Sequence, residues 1–279
     1  MDTVGSIDKA AAADYGSISP HEARLLFRNG LVRQTSGMCY GYLQLSMKMI
    51  PAKYAFDFLL YCQRNPVPEP VVEVLEPGDY TPKVLASNAD VRTDCPRYRV
   101  WKHGKVAETV NEITRFWRDD MVTFFIGGSF TFEGTLMKAG IPMRHNDENV
   151  PIPIYVTNVM TNPAGPFWGP IACTMRPIKR SMLPRAIEVT ARIPNAHGSP
   201  MWIGEPAGIG IADIDKPDFG KRVTIKDDEV PVFWACGVTA NMAIQNANLD
   251  FVLTQEPNHV FISDIREEDV GFLNTPAIA

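Results

Sequence analysis

The chain has 279 residues, of which 45% are hydrophobic and 21% charged, as is ordinary for a soluble globular protein of one or two domains. Its formal net charge of −5 and the absence of a basic run argue against nucleic-acid binding. No apolar stretch approaches the roughly 18 residues of a membrane span, and the first residues lack the pattern of a secretory signal.

The chain opens with a predicted loose arm over residues 1–16, followed by a helix. Ser19 is the expected N-cap of that helix, because Pro20 and Glu22 are typical of a first helical turn. The helix is expected to end near Asn29, where a glycine follows.

A second helix is predicted over residues 52–65, where aromatic residues recur on one face until Pro66 ends the pattern. Residues 41–50, which precede it, have mixed apolar spacing and fit either a loop or a strand. Residues 71–75 predict a strand, and residues 76–98 read as a polar loop.

A hairpin is predicted next, with strands over residues 99–103 and 105–109 that flank a turn at His103-Gly104. Residues 111–119 are expected to form a short helix. This helix would lead directly into the most apolar stretch of the chain.

Residues 121–140 predict a strand, a glycine turn and a helix. The apolar run 122–126 fits a buried strand, Gly127 and Gly128 break it, and residues 130–139 predict a helix with Ser129 as N-cap. Such a turn directs backbone N–H groups and the positive end of a helix toward a ligand. Close packing of strand against helix would equally explain the two glycines.

The later chain predicts further strands and a second strand–glycine–helix unit. The strands are expected at residues 151–159, 171–176, 186–192, 230–235, 251–254 and 260–263. A helix over residues 240–248 would follow the second glycine turn, with Thr239 as N-cap. We predict an α/β main body of residues 1–140 and 195–279, and a smaller, β-rich α+β lobe of residues 141–194.

Three segments that follow predicted strands are expected to share one rim: residues 127–133, 236–239 and 255–259. Ligands in open α/β sheets bind at the carboxyl ends of strands. The acid/base candidates near this rim are Glu133, His197, Glu205 and His259. Cys236 would be a nucleophile only with a stabilised thiolate, and a buried bystander is the alternative.

Metal and nucleotide cofactors are not indicated, because the five histidines lack ligand spacing and no phosphate-binding glycine motif is present. Arg92 and Arg97 are candidate clamps for a carboxylate, with surface salt bridges as the alternative. The five cysteines are scattered and odd in number, which predicts reduced thiols and a cytoplasmic protein.

A set of distinctive motifs is spread over residues 20–265. They are Arg24-x-x-Phe27-Arg28-x-Gly30-Leu31, Thr35-x-Gly37, Gly41-Tyr42-x-Gln44, Asp57-Phe58-Leu59, Cys62-x-x-Asn65-Pro66, Asp90-x-Arg92-Thr93-Asp94-x-Pro96-Arg97-Tyr98, Gly127–Glu133, Met175-Arg176-Pro177, His197-Gly198-x-Pro200, Pro217-Asp218-Phe219-Gly220 and Pro231–Thr239. Together they resemble a bacterial family of hydro-lyases related to D-glutamate cyclase. The resemblance implies a two-part α/β architecture with a mixed sheet. It also implies the reaction of the D-glutamate cyclase relatives, which convert D-glutamate to 5-oxo-D-proline with loss of water.

The chain departs from this family's pattern at five polar positions. Ser46 stands where asparagine is usual, Gly128 where cysteine is usual and Trp202 where histidine is usual. Glu205 replaces an aspartate, and Gln255 replaces a histidine. A change of substrate or a loss of activity would follow if these positions set the acid/base capacity of the pocket.

Cyclising a glutamate requires a base for the ammonium group, donors for the carboxylates and the oxyanion, and an acid for the leaving oxygen. We assign catalysis to Glu133, His197 and Glu205, with Glu133 or His197 as proton carrier. We assign substrate binding to Arg92, Arg97, Gly128, Ser129, Gln44, Cys236 and Thr239. The backbone N–H groups of Gly128 and Ser129 would hold the oxyanion.

Two other functions fit the same residues. One is a non-catalytic protein that binds a small carboxylate, and the other is a hydratase or lyase that acts on another organic acid. In each case the expected partner is a small carboxylate rather than nucleic acid or membrane, and a homodimer is compatible with the sequence.

Overall fold

A computed structural model describes residues 14–272, so residues 1–13 of the predicted arm lie outside the described range. Within it the strands are β1 (Tyr42–Pro51), β2 (Val71–Val74), β3 (Tyr98–Lys102), β4 (Lys105–Val110), β5 (Met121–Gly127), β6 (Ile154–Met160), β7 (Pro170–Lys179), β8 (Trp202–Ile203), β9 (Glu229–Ala235), β10 (Val252–Gln255) and β11 (Phe261–Arg266). The α-helices are α1 (Pro20–Arg28), α2 (Ala52–Arg64), α3 (Glu133–Lys138), α4 (Arg144–Asp147), α5 (Leu183–Ala191) and α6 (Thr239–Ala247).

β1 is the central strand of the larger, seven-stranded sheet. The strand order is β2-β5-β1-β10-β3-β4, and β11 also pairs with β1. Side chains alternate between the faces of a strand, so β1 contributes to two cores. Met47 and Met49 pack into the core on one face, and Ile50 packs into the core on the other face.

The smaller sheet has four strands in the order β6-β7-β9-β8. β7 and β9 pair from Cys173 opposite Ala235 to Lys179 opposite Glu229. α5 and α6 both contact β7. Ser129, which follows β5, also reaches β7, because its hydroxyl oxygen lies 3.5 Å from that of Thr174.

The α/β class is confirmed, but the mixed sheet that the resemblance implied is wrong in its strand directions. Every strand pairing within residues 14–272 is antiparallel. Antiparallel neighbours can be joined by tight turns, and β3 and β4 are joined in this way at His103-Gly104.

The first two predicted helices are confirmed. α1 begins with a capping box in which Ser19 accepts from the Glu22 N–H and the Glu22 side chain accepts from Ser19. α2 ends at Arg64, one residue before the predicted end and two before Pro66. Residues 41–50, left open between loop and strand, form most of β1.

The strand predicted over residues 186–192 is wrong, because this segment forms α5. Its β-branched residues favoured a strand, but the buried side chains Ala186, Val189 and Thr190 have the spacing of a helix face. Pro184 also lies in the first turn of α5, where proline is favoured.

Three smaller predictions are also wrong. The helix after the first glycine turn begins only at Glu133 and its N-cap is Phe132, so Ser129 does not cap it. Thr239 is the first residue of α6, and Val238 is the N-cap. Residues 111–119 contain only a 3-10 turn at Thr114–Phe116.

The smaller sheet takes its strands from Ile154 to Ala235, whereas the larger sheet takes strands from both ends of the chain. The domain boundaries at residues 140 and 195 stay a prediction. Within residues 14–272, no helix combines the length and the apolar character that crossing a membrane would require.

Candidate functional site

A narrow cavity of about 30 Å³ lies between residues of the two sheets. A single water molecule needs at least roughly 10–15 Å³ of such space. The side chains that give the cavity its chemistry are Ser46, Ser129, Thr174, His197, Cys236, Gln255 and Asn258. Residues from all three segments predicted to share a rim therefore line one cavity.

His197 is held with one ring nitrogen bonded and the other open. Its Nδ1 lies 2.9 Å from the carbonyl oxygen of Val67, which can only accept, so Nδ1 carries the proton. Nε2 is buried and has no partner among the described residues. Burial, and to a smaller extent Arg176, lowers the pKa of His197 to about 4, so the ring is neutral at physiological pH.

The turn that carries His197 packs directly against the end of β5. A Cβ on Gly127 would lie 1.6 Å from the carbonyl oxygen of Asn195, so only glycine permits this approach. His197 itself has a left-handed backbone, with φ of 77°. The same side chain also borders an outer groove of about 570 Å³, and it therefore stands between the cavity and that groove.

Arg176 is a buried cation directly behind the hydroxyl groups of the cavity. Its Nη1 donates to the Thr174 hydroxyl at 3.1 Å, and its Nη2 lies 3.2 Å from the Ser129 hydroxyl. The guanidinium also lies over the ring of Phe132, 5.0 Å from its centroid. Two wall hydroxyls are thus fixed by one positive charge.

Glu133 holds Arg176 in place rather than lining the cavity. Its carboxylate lies 2.5 Å from Arg176 Nη2 and 3.1 Å from His145 Nε2, and it accepts from Ser36 at 2.9 Å. Burial alone would raise the pKa of Glu133, but His145 and Arg176 together lower it to about 2. Glu133 is therefore an ionised anchor.

The predicted oxyanion donors are only partly available. The N–H of Gly128 donates to the carbonyl oxygen of Gln44 at 2.9 Å, so that part of the prediction is wrong. Within residues 14–272, the N–H groups of Ser129 and Gly237 have no acceptor in the protein, and both residues line the cavity.

Comparison with known proteins identifies the family. A sequence model described as D-glutamate cyclase matches residues 122–264. A protein of Bacillus licheniformis is 48% identical over 255 residues, which are 91% of this chain and 97% of the relative. The chain belongs to the D-glutamate cyclase family.

Two further relatives, from Geobacillus kaustophilus and Bacillus subtilis, are 47% and 46% identical and each cover 92% of this chain. The matches span 98% and 100% of these relatives, and all three proteins bear the name "Putative hydro-lyase". Among solved structures, a nitrogen repressor-like protein of Methanococcus jannaschii covers 84% of this chain at 8% identity, with a TM-score of 0.38.

Three other predicted site residues of this D-glutamate cyclase family member do not line the cavity: Glu205, Arg92 and Arg97. Glu205 is exposed and caps the 3-10 turn Pro206–Ile209. Arg92 is paired with Asp90 at 2.7 Å. Arg97 is exposed and does not line the cavity, and its carbonyl oxygen accepts from the Glu256 N–H.

Of Gln44, Thr239 and Cys236, which were also predicted to bind substrate, only Cys236 lines the cavity. Gln44 is buried behind it and donates to the Met38 carbonyl, and the Thr239 hydroxyl accepts from the Ala172 N–H at 2.9 Å. Cys236 lines the cavity, and burial raises the pKa of its thiol to about 11. The thiol is therefore protonated at neutral pH.

The three departures from the family pattern at Ser46, Gly128 and Gln255 all line the cavity, where Gln255 donates to the Ser46 hydroxyl at 2.9 Å. Trp202 is exposed and donates to the Glu205 carbonyl. His259 bonds the Pro257 carbonyl beside the cavity, and burial lowers its pKa.

Sequence reasoning missed Arg176, Thr174 and Asn258 as functional candidates. Arg176 belongs to the motif Met175-Arg176-Pro177, and a cation between apolar residues of a predicted strand was the signal available in the sequence. No group of three or more His, Cys, Asp or Glu side chains within residues 14–272 is placed to hold a metal ion. Cofactor independence stays a prediction.

Proposed function

We propose that this protein is a cofactor-independent hydro-lyase that cyclises D-glutamate to 5-oxo-D-proline and water. Membership of the D-glutamate cyclase family supports hydro-lyase chemistry. His197 is the main support within the site, because it is a neutral imidazole with an open Nε2 beside hydroxyls fixed by a buried cation.

The reaction joins the substrate nitrogen to the distal carboxyl carbon and breaks one carbon–oxygen bond. The ammonium nitrogen gives up two protons, and the departing oxygen takes up two, so water leaves and no proton is released. His197 accepts a proton at Nε2 as the nitrogen attacks. The resulting imidazolium is a strong acid, because its pKa is low, and it protonates the leaving oxygen.

Donors around Arg176 bind the negative charge that develops on the carboxyl oxygens. The hydroxyls of Ser129 and Thr174 are oriented by the guanidinium, and the N–H groups of Ser129 and Gly237 add two donors. Fixed donors in a water-excluded cavity stabilise an oxyanion more than water does. Glu133 contributes by holding Arg176.

Substrate entry requires the cavity walls to separate, because 30 Å³ accommodates water but not a glutamate. The turn at residues 194–200 is the segment that separates the cavity from the outer groove near His197. Outward movement of this turn would join the two spaces, and its return would exclude water from the reaction.

The test is proton NMR of the purified protein incubated with D-glutamate and, separately, with 5-oxo-D-proline. We expect interconversion of the two compounds and none with L-glutamate. Absence of conversion in both directions would overturn the cyclase function.

A small-carboxylate binding protein predicts a different outcome of the same experiment. Either compound would then raise the melting temperature without being converted, because a ligand that binds only the native state stabilises it by mass action. Conversion of another organic acid would instead indicate a related hydratase or lyase. Cytoplasmic location and a homodimer stay predictions.

A further inference from the structure

One edge of β1 changes its partner strand beside the cavity. β1 pairs with β10 as far as Lys48 and with β11 from Leu45 onward, so the pairing on this edge is interrupted at Ser46 and Met47. Residues 256–260 join β10 to β11 and leave the sheet here, and three of them line the cavity together with Ser46. The cavity therefore lies at an interruption of strand pairing.

The buried side-chain amide of Gln255 occupies this interruption. Its Oε1 accepts from the Met47 backbone N–H at 2.9 Å, and its Nε2 donates to the Ser46 hydroxyl at 2.9 Å. The orientation of the amide follows from chemistry, because a backbone N–H can only donate and must face the amide oxygen. The group that faces Ser46 is therefore a donor.

This bond decides what Ser46 offers to the cavity. A hydroxyl has one proton and two lone pairs, and the bond from Gln255 uses a lone pair. In the part of the chain that the structure describes, no residue is shown to accept the Ser46 proton. Because Ser46 lines the cavity, its hydroxyl can donate to a bound group.

Gly237 supplies a second donor beside Ser46. A Cβ on Gly237 would lie only 2.7 Å from the Ser46 hydroxyl oxygen, so the two residues pack against each other. Gly237 also lines the cavity, and its backbone N–H has no acceptor among residues 14–272. Two neighbouring donors therefore reach the cavity at this wall.

We propose that Ser46 is a further catalytic residue, whose hydroxyl holds one oxygen of the attacked carboxyl group together with the Gly237 N–H. Gln255 is a positioning residue, because it directs the Ser46 proton away from itself and into the cavity. This inference rests on the proposed cyclase function.

The arrangement gives each reacting group of D-glutamate a complementary partner. Carboxylate oxygens accept hydrogen bonds from Ser46 and Gly237, and the nitrogen loses its proton to the open Nε2 of His197. A cavity of about 30 Å³ has room for few atoms, so the groups that meet there are the reacting ones. Ser46 keeps its proton throughout and stabilises the oxyanion that forms with the carbon–nitrogen bond.

The first test is Ser46→Ala, which removes the donor and leaves a small side chain. We expect kcat for D-glutamate to fall by roughly 10²–10³, the usual effect of losing one oxyanion donor. The Kd for glutarate, a dicarboxylate that has no amine and cannot cyclise, should rise roughly tenfold or more in calorimetry. Ser87→Ala, at an exposed serine, is the matched control and should change neither quantity.

The second test asks whether Gln255 acts through Ser46. Gln255→Met is neutral and of similar length, and it should lower kcat by roughly tenfold or more because the hydroxyl loses its orientation. In a Ser46→Ala background the same change should lower kcat by less than about twofold, because a residue that acts only through another adds nothing once the other is absent. An equal effect in both backgrounds would overturn the positioning role.

Gln255→Glu keeps the fold of this region testable, because a carboxylate still accepts from the Met47 N–H. The carboxylate would also accept the Ser46 proton and turn it away from the cavity. We expect kcat to fall at least as far as in Gln255→Met. Wild-type turnover in Gln255→Glu would contradict the assigned orientation of Ser46.

The outcomes distinguish this inference from the proposed function. A wild-type protein that cyclises D-glutamate, with a Ser46→Ala variant that matches Ser87→Ala in kcat and in glutarate binding, would overturn the role of Ser46 alone. A wild-type protein that binds glutarate through Ser46 without turnover would overturn the cyclase function and support the carboxylate contact. A protein that neither binds glutarate nor turns over D-glutamate would overturn both.

Discussion

Two groups of buried polar side chains near the cavity differ in how completely they are paired. The paired cluster consists of Glu133, Arg176, His145 and Ser36, and the open cluster consists of His197 and Glu69. In the paired cluster each charged group bonds at least one other member. In the open cluster the Nε2 of His197 and both carboxylate oxygens of Glu69 have no partner among the described residues.

The two buried glutamates show what this difference means physically. Burial raises the pKa of both carboxyl groups, but His145 and Arg176 reverse the direction for Glu133. For Glu69, the attraction of Lys48 and of the Ala240 N–H is weaker than the effect of burial, so its pKa stays raised. Leaving polar groups buried without partners costs stability, and functional sites are where proteins retain such groups.

The largest expected effect in the open cluster is on turnover. Replacing His197 with alanine should lower kcat by roughly 10²–10⁴, the usual contribution of a positioned acid/base group. The free energy of unfolding should fall by only about 1–3 kcal/mol, from the lost bond to Val67 and lost packing. The measurements are NMR turnover and urea unfolding, with the exposed His21→Ala as control. Full turnover in His197→Ala would refute its role.

In the paired cluster, a substitution should affect stability more than turnover. Glu133→Ala leaves the Arg176 guanidinium buried without its carboxylate, which should lower the free energy of unfolding by roughly 3–5 kcal/mol. Glu188→Ala is the control, because Glu188 makes only exposed ion pairs, which contribute roughly 0–1 kcal/mol. Urea unfolding of both variants measures the difference. An equal loss of unfolding free energy in Glu133→Ala and Glu188→Ala would mean that burial does not make the Glu133 ion pair more important for stability than an exposed one.

Acidification should lower the folding stability through the two clusters in different pH ranges. The folded pKa of His197 is lowered from 6.5 to about 4, so the unfolded chain binds more protons between these values. The associated stability is present above pH 6.5 and falls by about 3 kcal/mol as the pH drops to 4. The contribution of Glu133 is lost at lower pH, because its stabilisation is present above pH 4.5 and disappears toward pH 2.

Urea unfolding at several pH values between 7 and 4 tests the contribution of His197. His197→Gln should flatten the loss between pH 6.5 and 4 relative to the wild type, because glutamine does not titrate. An unchanged slope in that variant would show that another group accounts for the acid sensitivity.

Local signals predicted much of the fold. The capping box at Ser19 and Pro66 after α2 are short-range features that any tertiary context preserves. The segment of α5 was mistaken because the residues Ile187, Val189 and Thr190 favour strands individually, whereas the spacing of its buried face is helical.

Features of the site that depend on residues close together in the sequence could be predicted. Contacts between residues that are far apart in the sequence could not. Glycine turns after strands correctly suggested that Ser129 and Cys236 would lie near one another. Arg176 lies 43 residues from Glu133, so their ion pair exists only in the folded chain. Lys48 is hidden in an apolar strand, where periodicity reveals its face but not its neighbours.

The smallest effect is expected at Cys236, which lines the cavity beside the open cluster. Its thiol is protonated at neutral pH because burial raises its pKa, so it is a poor nucleophile. Cys236→Ala should therefore change kcat less than about tenfold, mainly by altering the cavity wall. Mass spectrometry after iodoacetamide treatment at pH 7 should find this cysteine unmodified. Rapid alkylation, together with a loss of turnover comparable to that of His197→Ala, would instead place Cys236 among the catalytic groups.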